Sequence, residues 1–322
     1  MSDYTFIIPD PDSFVSGGNR YNGELLTALR AAGKSVSVVG PDAPTLSGQV
    51  WLDSIWMDQV HRLPAPPDGL IVHHLGSFYP ETATMSEEEE NQLLRKFERF
   101  LCTSPFTKDR LVRSGISADA CMVVEPGMHL SVPSARSYPD ILHILIVANL
   151  VHRKGILSFL QALRPHLTEP DELRVTIAGS HILDPDYASR CSDLVSSSSE
   201  LKNRVTFLQD LSPEEITEAY LQHSLLVSAA EMETYGMAIR EAICFGLPVV
   251  CLKNSGYANQ HPEIFESHES IDDLVRSCIF SAADHDFTAV QAHHWAERPH
   301  PTSWTDQAHL FIRHTASWIA SR

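Results

Sequence analysis

The stretch SAAEMETYGMAIREAICFGLPVV, Ser228–Val250, decides the fold. An apolar run from Leu225 ends in the small residues Ala229 and Ala230, and a loop with the acids Glu231 and Glu233 follows. A helix pattern then opens at Gly236 and stops at Gly246, and Pro248–Leu252 restarts as a strand. Strand, loop, helix and strand in so short a span make the repeating unit of a parallel α/β sheet. The helix is apolar nearly all round. Ile239, Ala242, Ile243 and Gly246 form one stripe, while Met237, Ala238, Cys244 and Phe245 fill the other side, so the helix is expected to be buried. Only Arg240 and Glu241 are charged. A buried bare carboxylate costs several kcal/mol, so Glu241 needs partners. Either it pairs with Arg240 or another base, or it accepts hydrogen bonds from the hydroxyls of a ligand.

The same alternation runs upstream. Strand patterns at Leu142–Ala148, Leu173–Ala178, Arg204–Leu208 and Ser224–Ser228 are separated by helix patterns at Ile156–Leu167, Asp186–Ser196 and Ser212–His223. Their near-continuous apolar runs mark parallel strands covered on both faces, and right-handed crossovers then give a doubly wound sheet. Ligands of such sheets bind outside the carboxyl ends of the strands. VANLVHRKG, Val147–Gly155, puts Arg153 and Lys154 there, directly ahead of a helix, as either a diphosphate-holding pair or a solvated basic turn. AGSHILDP, Ala178–Pro185, supplies a glycine turn at the same edge.

The first part of the chain is a looser version of the pattern. Thr5–Asp10 reads as a strand, PDSFVSGGN as a loop, and Tyr21, Leu25, Leu26 and Leu29 as one face of a helix closed by Gly33, before a strand at Ser35–Gly40. Gly17 and Gly18 would let backbone N–H groups approach a phosphate, or make a plain turn. Gln49–His61 reads as a helix, and LPAPP as a connection. DGLIVHHL, Asp68–Leu75, is a buried strand whose last histidine, His74, falls at a strand carboxyl end as either a functional or a structural residue. Ser86 caps a helix start, EEEEN, whose acids read as a solvated face. A strand at Arg99–Thr103, a helix at Pro105–Ser114 and a strand at Cys121–Glu125 complete this half, and Ser131–Asp140 has linker composition. The tail sets Trp304, Ala308, Phe311, Ile312, Thr315 and Ile319 in helical register. The expected organisation is a Rossmann-like domain at 1–138, a second at 139–302, and a terminal helix at 303–322 that crosses the junction and packs back on the first domain.

Composition narrows the function. With 322 residues, 43% hydrophobic and 20% charged, the chain is ordinary globular protein long enough for two cores. A net charge of -17 argues against nucleic acid and anionic lipid as partners. No segment reaches the roughly 20 apolar residues of a membrane span, and the N-terminus enters a strand without a signal core, so a cytoplasmic location is expected. Six cysteines without CxxC spacing read as reduced core residues. Seventeen histidines include no HExxH, and His73/His74 and His293/His294 have no matching acid or cysteine cluster, so no metal site is expected.

Taken together, these blocks resemble the retaining glycosyltransferases of family four. The likeness is densest in EMETYGMAIREAICFGLPVV, where Glu233 and Glu241 fall on the family's pair of glutamates. VANLVHRKG, LRVTIAGS, RVTFLQDLSPEEITEAYLQHSLLVSAA and VVEPGM look like its other blocks in order, and SGGNRYNGELLTALRAAG resembles its N-terminal glycine loop and helix. The resemblance implies a GT-B fold, α/β with two Rossmann-like domains, and a donor site in the interdomain cleft. It implies transfer of a hexose-type sugar from a UDP- or GDP-sugar to a small or glycan hydroxyl acceptor, with retention, by front-face attack and without cofactor or metal. By the same resemblance Glu241 would bind ribose hydroxyls, Glu233 would contact the donor sugar, and the N–H groups of Tyr235, Gly236 and Met237 would serve sugar and phosphate. Lys154, helped by Arg153, would neutralise the diphosphate, Gly17 and Gly18 would approach it, and His74 would lie over the sugar ring. Asn149 stands where the family usually has an arginine, and the first domain is short. Those departures motivate an alternative, a non-catalytic module that binds a nucleotide sugar or a protein partner.

Overall fold

A computed structural model of the chain describes residues 2–11, 16–79, 83–128, 132, 138–139, 141–167, 173–253, 264–284 and 286–320. Residues 12–15 of the first glycine loop and most of the Ser131–Asp140 linker reading lie outside that set. The first run of elements is β1 (Tyr4–Ile7), α1 (Gly17–Ala31), β2 (Val36–Val39), β3 (Gln49–Asp53), β4 (Gly69–Val72), α2 (Glu87–Leu94), β5 (Phe100–Cys102), α3 (Pro105–Arg113) and β6 (Cys121–Val123). The six strands form one parallel sheet in the order β2-β1-β3-β4-β5-β6. Tyr21, Leu25, Leu26 and Leu29 of α1 are all buried, as the helical register of that stretch requires.

Two readings of this half need correction. Gln49–Asp53 is a strand rather than the start of a helix; Val50, Trp51 and Leu52 are consecutive and all buried, which suits a central strand between β1 and β4. The helical turn begins only at Ser54, capped by the Asp53 side chain. The acidic start of α2 is not wholly a solvated face. Glu90 is 2% exposed and its carboxylate accepts from the Ser77 N–H at 3.2 Å, while Ser86 and Glu89 close the capping box.

The second run is β7 (Leu142–Val147), α4 (Ile156–Leu163), β8 (Leu173–Ala178), α5 (Pro185–Ser197), β9 (Val205–Leu208), α6 (Pro213–Gln222), β10 (Leu225–Ser228), α7 (Met237–Cys244) and β11 (Val249–Leu252). It ends with β12 (Glu266–His268), α8 (Ile271–Ala283) and α9 (Phe287–Ala296), which the sequence patterns did not bring out. This sheet is also parallel and six-stranded, ordered β12-β11-β10-β7-β8-β9. The order reverses between β7 and β10. In the first sheet it reverses between β1 and β3. Such switch points leave a crevice at the carboxyl edge of a doubly wound sheet.

The last helix, α10 (Trp304–Ala320), belongs to the first unit. The chain divides into Met1–His129 with Thr302–Arg322, and Leu130–Pro301. Phe311 meets the rings of Tyr4 at 5.2 Å and Trp51 at 5.4 Å, Trp304 meets Tyr21 at 5.4 Å, and Tyr4 Oη lies 2.9 Å from Thr315 Oγ1. All six cysteines are buried free thiols. No helix among the described residues is long and apolar enough to cross a membrane.

Candidate active site

The second unit gathers its chemistry at the switch point between β7 and β10. A small recess opens at the carboxyl ends of those strands. Ala148, Ala229 and Ala230 keep its walls low, and Lys154, Glu233 and Gly236 bring polar groups to it. Lys154 ends the short turn His152–Lys154, and Gly155 follows in the left-handed region at φ 66°. A Cβ on Gly155 would stand 2.2 Å from the Ala229 carbonyl oxygen, so only glycine lets the turn lie this close to the end of β10. That closeness brings the lysine to Glu233.

The Lys154 ammonium donates to the Glu233 carboxylate, and the two side chains are only 15% and 17% exposed. Burial holds the ammonium below its ordinary pKa of 10.5, Glu233 opposes that shift, and the neighbouring Arg153 charge adds to it. Arg153 itself is exposed, and its carbonyl accepts from the Glu231 N–H at 3.3 Å. Gly236, also left-handed at φ 73°, is the residue before α7. Tyr235 is buried and Met237, the first residue of α7, is half-buried.

Glu241 sits one turn further along α7, 7% exposed, and does not line the recess. Its Oε2 accepts from the Tyr220 hydroxyl at 2.8 Å, and the Tyr220 ring stacks on Phe245 at 5.2 Å. Tyr220 comes from α6. Sequence reasoning missed it, because a tyrosine on the apolar face of a helix reads as core. Asn149 follows β7, and its Oδ1 accepts from the Ser180 N–H at 3.2 Å, tying the loops after β7 and β8 together.

Gly17, Gly18 and His74 lie in the first unit. Gly17 and Gly18 open α1, and Gly18 packs against the ring of His73. His74 is exposed, its ring 4.9 Å from that of Tyr79. His73 is the histidine turned inward. Its Nε2 is 2.9 Å from Asn22 Oδ1, and Asn22 Nδ2 donates to Asp53 Oδ2 at 2.7 Å. A polar residue on the leucine face of α1 was the available signal for Asn22. Asp53 was hidden by reading its strand as helix.

Comparison with known proteins places the fold. Residues 134–271 match the family model of glycosyl transferases group 1, which spans somewhat less than half of the chain. No curated protein matches the chain. Among solved structures, it is similar to sucrose-phosphate synthase from Thermosynechococcus elongatus, at 19% identity and a TM-score of 0.77, with 100% of both chains covered. It is similar to Anabaena HepE in complex with UDP-glucose, at 14% identity and a TM-score of 0.74, over 98% of this chain and 100% of that one. A glycosyltransferase from Rickettsia africae superposes at a TM-score of 0.65 with 16% identity, covering 96% of each chain. The fold is that of the GT-B glycosyltransferases, and the match to the glycosyl transferases group 1 model falls within the second unit.

Proposed function

We propose that the protein moves a hexose from a nucleoside diphosphate sugar to a hydroxyl acceptor, with retention of configuration and without a divalent metal. The observation that carries this reading is the meeting of Lys154, Glu233 and the start of α7 at one switch point. Departure of a nucleoside diphosphate builds negative charge on phosphate oxygens. Lys154 offers a cation for that charge, and the backbone N–H groups of Tyr235, Gly236 and Met237, at the start of α7, would serve the sugar and phosphate as donors. Arg153 adds a second positive charge on the same turn.

Glu233 neutralises the cation. Diphosphate binding then amounts to an exchange in which Lys154 turns to the phosphates and Glu233 is released to the sugar hydroxyls. Front-face attack by the acceptor, assisted by the leaving phosphate, would then give retention without a covalent intermediate on the enzyme. Glu241, whose carboxylate is held by the Tyr220 hydroxyl, is an acceptor-only group of the kind that binds ribose hydroxyls. The likeness to HepE, solved with UDP-glucose, makes UDP-sugars the first donors to try, with GDP-sugars next. Six buried thiols suit a reducing, cytoplasmic compartment.

The test is incubation with UDP-, GDP- and ADP-sugars in the presence of a chelator, following nucleotide release, with the anomeric configuration of any product read by NMR. Release from a UDP- or GDP-sugar that survives the chelator, with retained configuration, is the expected result. A donor that binds tightly but is never turned over would make the chain a nucleotide-sugar-binding module instead. Inverted configuration, or loss of activity with the chelator, would overturn the corresponding part of the mechanism.

A further inference from the structure

The acidic run that opens α2 uses its glutamates differently. Glu87, Glu88 and Glu89 are exposed, and Glu89 closes the capping box with Ser86. Glu90 is turned inward. Its backbone N–H donates to the Ser86 carbonyl at 3.0 Å, so the cap fixes the turn of helix from which the carboxylate leaves. The positive end of the helix dipole favours a carboxylate there, but a buried charge is costly and needs a partner. That partner is the backbone of the short turn Gly76–Phe78, which follows β4. Ser77 N–H donates to Glu90 Oε2 at 3.2 Å and to Oε1 at 3.4 Å. A Cβ on Gly76 would stand 3.2 Å from Oε2, so the carboxylate lies against the turn itself.

A second helix holds the same residue. Arg110 of α3 donates from Nη2 to the Ser77 carbonyl at 3.4 Å, and its guanidinium lies 5.5 Å from the centre of the Phe78 ring. Phe78 is buried, with its ring 5.7 Å from that of Phe106 at the start of α3. Both backbone groups of Ser77 are thus tied to charged side chains from two helices, and the next residue is pegged into the core. Reversing the chain over three residues requires neither charge. What the arrangement leaves over is the serine hydroxyl. Ser77 is half-buried, and among the described residues its Oγ makes no hydrogen bond. It lies past the carboxyl end of β4, at the edge where parallel sheets receive ligands.

The charges beside it are engaged, Glu90 out of solvent and Arg110 on the turn. The turn therefore offers a neutral group that both donates and accepts, which suits a hydroxyl of an uncharged sugar. We infer that the Ser77 hydroxyl binds the sugar that accepts the transferred hexose, with Glu90 and Arg110 as positioning residues that hold its turn. The identity of the ligand rests on the sugar-transfer reading, whereas the hold on the turn does not.

Hydrogen exchange tests the hold without any substrate. Glu90→Ala should speed exchange of the Ser77 amide by about 10-fold or more, because its acceptor is gone. Glu90→Gln, which keeps an oxygen in that place, should restore most of the protection. Unchanged exchange at Ser77 in Glu90→Ala overturns the hold.

Transfer tests the contact. Glucose, galactose, mannose and fructose are offered as acceptors with whichever nucleotide sugar is consumed. Ser77→Ala, which leaves both backbone bonds in place, should keep its melting temperature and raise the KM of the best of these acceptors by about 10-fold, with the loss in KM rather than kcat. Glu90→Ala should show the same split, and the double variant should lose no more than either single one, because Glu90 acts through Ser77. Additive losses, or a fall in kcat with KM unchanged, would make Glu90 a brace of the fold and overturn its positioning role. An acceptor KM that Ser77→Ala leaves unchanged overturns the contact, as does consumption of the donor with none of these sugars glycosylated. If no donor is consumed at all, the proposed function fails and the contact with it, while exchange at Ser77 still decides whether Glu90 holds the turn.

Discussion

Lys154 and Glu233 are worth more together than apart. Removing Glu233 would leave a poorly exposed ammonium beside Arg153, and removing Lys154 would leave a poorly exposed carboxylate. Lys154→Ala should lower kcat by about 100-fold or more while donor affinity falls much less, because a group aimed at developing charge acts mainly in the transition state. Equal losses in kcat and affinity would show uniform binding and remove that role. Tyr220→Phe deletes the hydroxyl that holds Glu241, a bond to a charged group worth about 1.5–3 kcal/mol. Nucleotide binding, measured calorimetrically, should weaken in this variant and in Glu241→Ala alike. Glu241 was legible from sequence as the lone acid on an apolar helix. Its anchor was not, since Tyr220 precedes it by 21 positions on another helix and fits an apolar stripe. Titration has a sign at this scale too. His73, His143, His294 and His314 all sit below 6.5, each chiefly through burial. The unfolded chain takes up protons first as pH falls from 6.5, so stability rises with pH through the window between the folded values and 6.5. The denaturation midpoint should therefore drop as pH is lowered from 7 toward 5, and a flat midpoint would contradict these shifts.

Turns at strand ends decide where the side chains go. Gly155 combines a left-handed φ of 66° with a carbonyl oxygen where a Cβ would be. Gly155→Ala therefore meets both backbone strain, about 1–2 kcal/mol, and a direct overlap that only moving the turn can relieve. Moving the turn carries Lys154 away from Glu233. The variant should melt lower and lose kcat together, and a stable Gly155→Ala protein with full activity would show that the turn does not set the lysine. Sequence located this turn well because a basic pair directly before a helix pattern is a local signal. β3 shows the opposite case. Its QVWLD has too few residues for periodicity to separate a buried strand from a helix start, and only pairing with β1 and β4 settles it. Misplacing β3 hid Asp53, and with it the whole polar chain to His73.

The alternation of strands and helices was readable across both halves, because parallel strands buried on two faces are nearly all apolar. Residues 253–302 were not. The α9 stretch FTAVQAHHWA carries histidines and a tryptophan without a clean stripe, and β12 is only three residues long. The tail was readable as an amphipathic helix, but its seat depends on residues some 300 positions earlier. Along α10, Trp304, Ala308, Phe311 and Thr315 are all at most 3% exposed, against β1, β3 and α1. An aromatic side chain buries about 150–250 Å², which at about 25 cal/mol per Å² is worth about 4–6 kcal/mol. Trp304 and Phe311 together thus match a large share of the 5–15 kcal/mol that holds a typical domain folded. Phe311→Ala should cost about 3–5 kcal/mol, whereas Phe311→Leu, which keeps most of the volume, should cost far less. Hydrogen exchange locates the damage. In Phe311→Ala the amides of β1, β3 and β4 should lose protection while those of β7, β8 and β10 keep theirs, because Phe311 lies in the core of the first unit. Equal loss across both sheets would mean that the chain unfolds as one cooperative body, and that the last helix stabilises the whole chain rather than the sheet it covers.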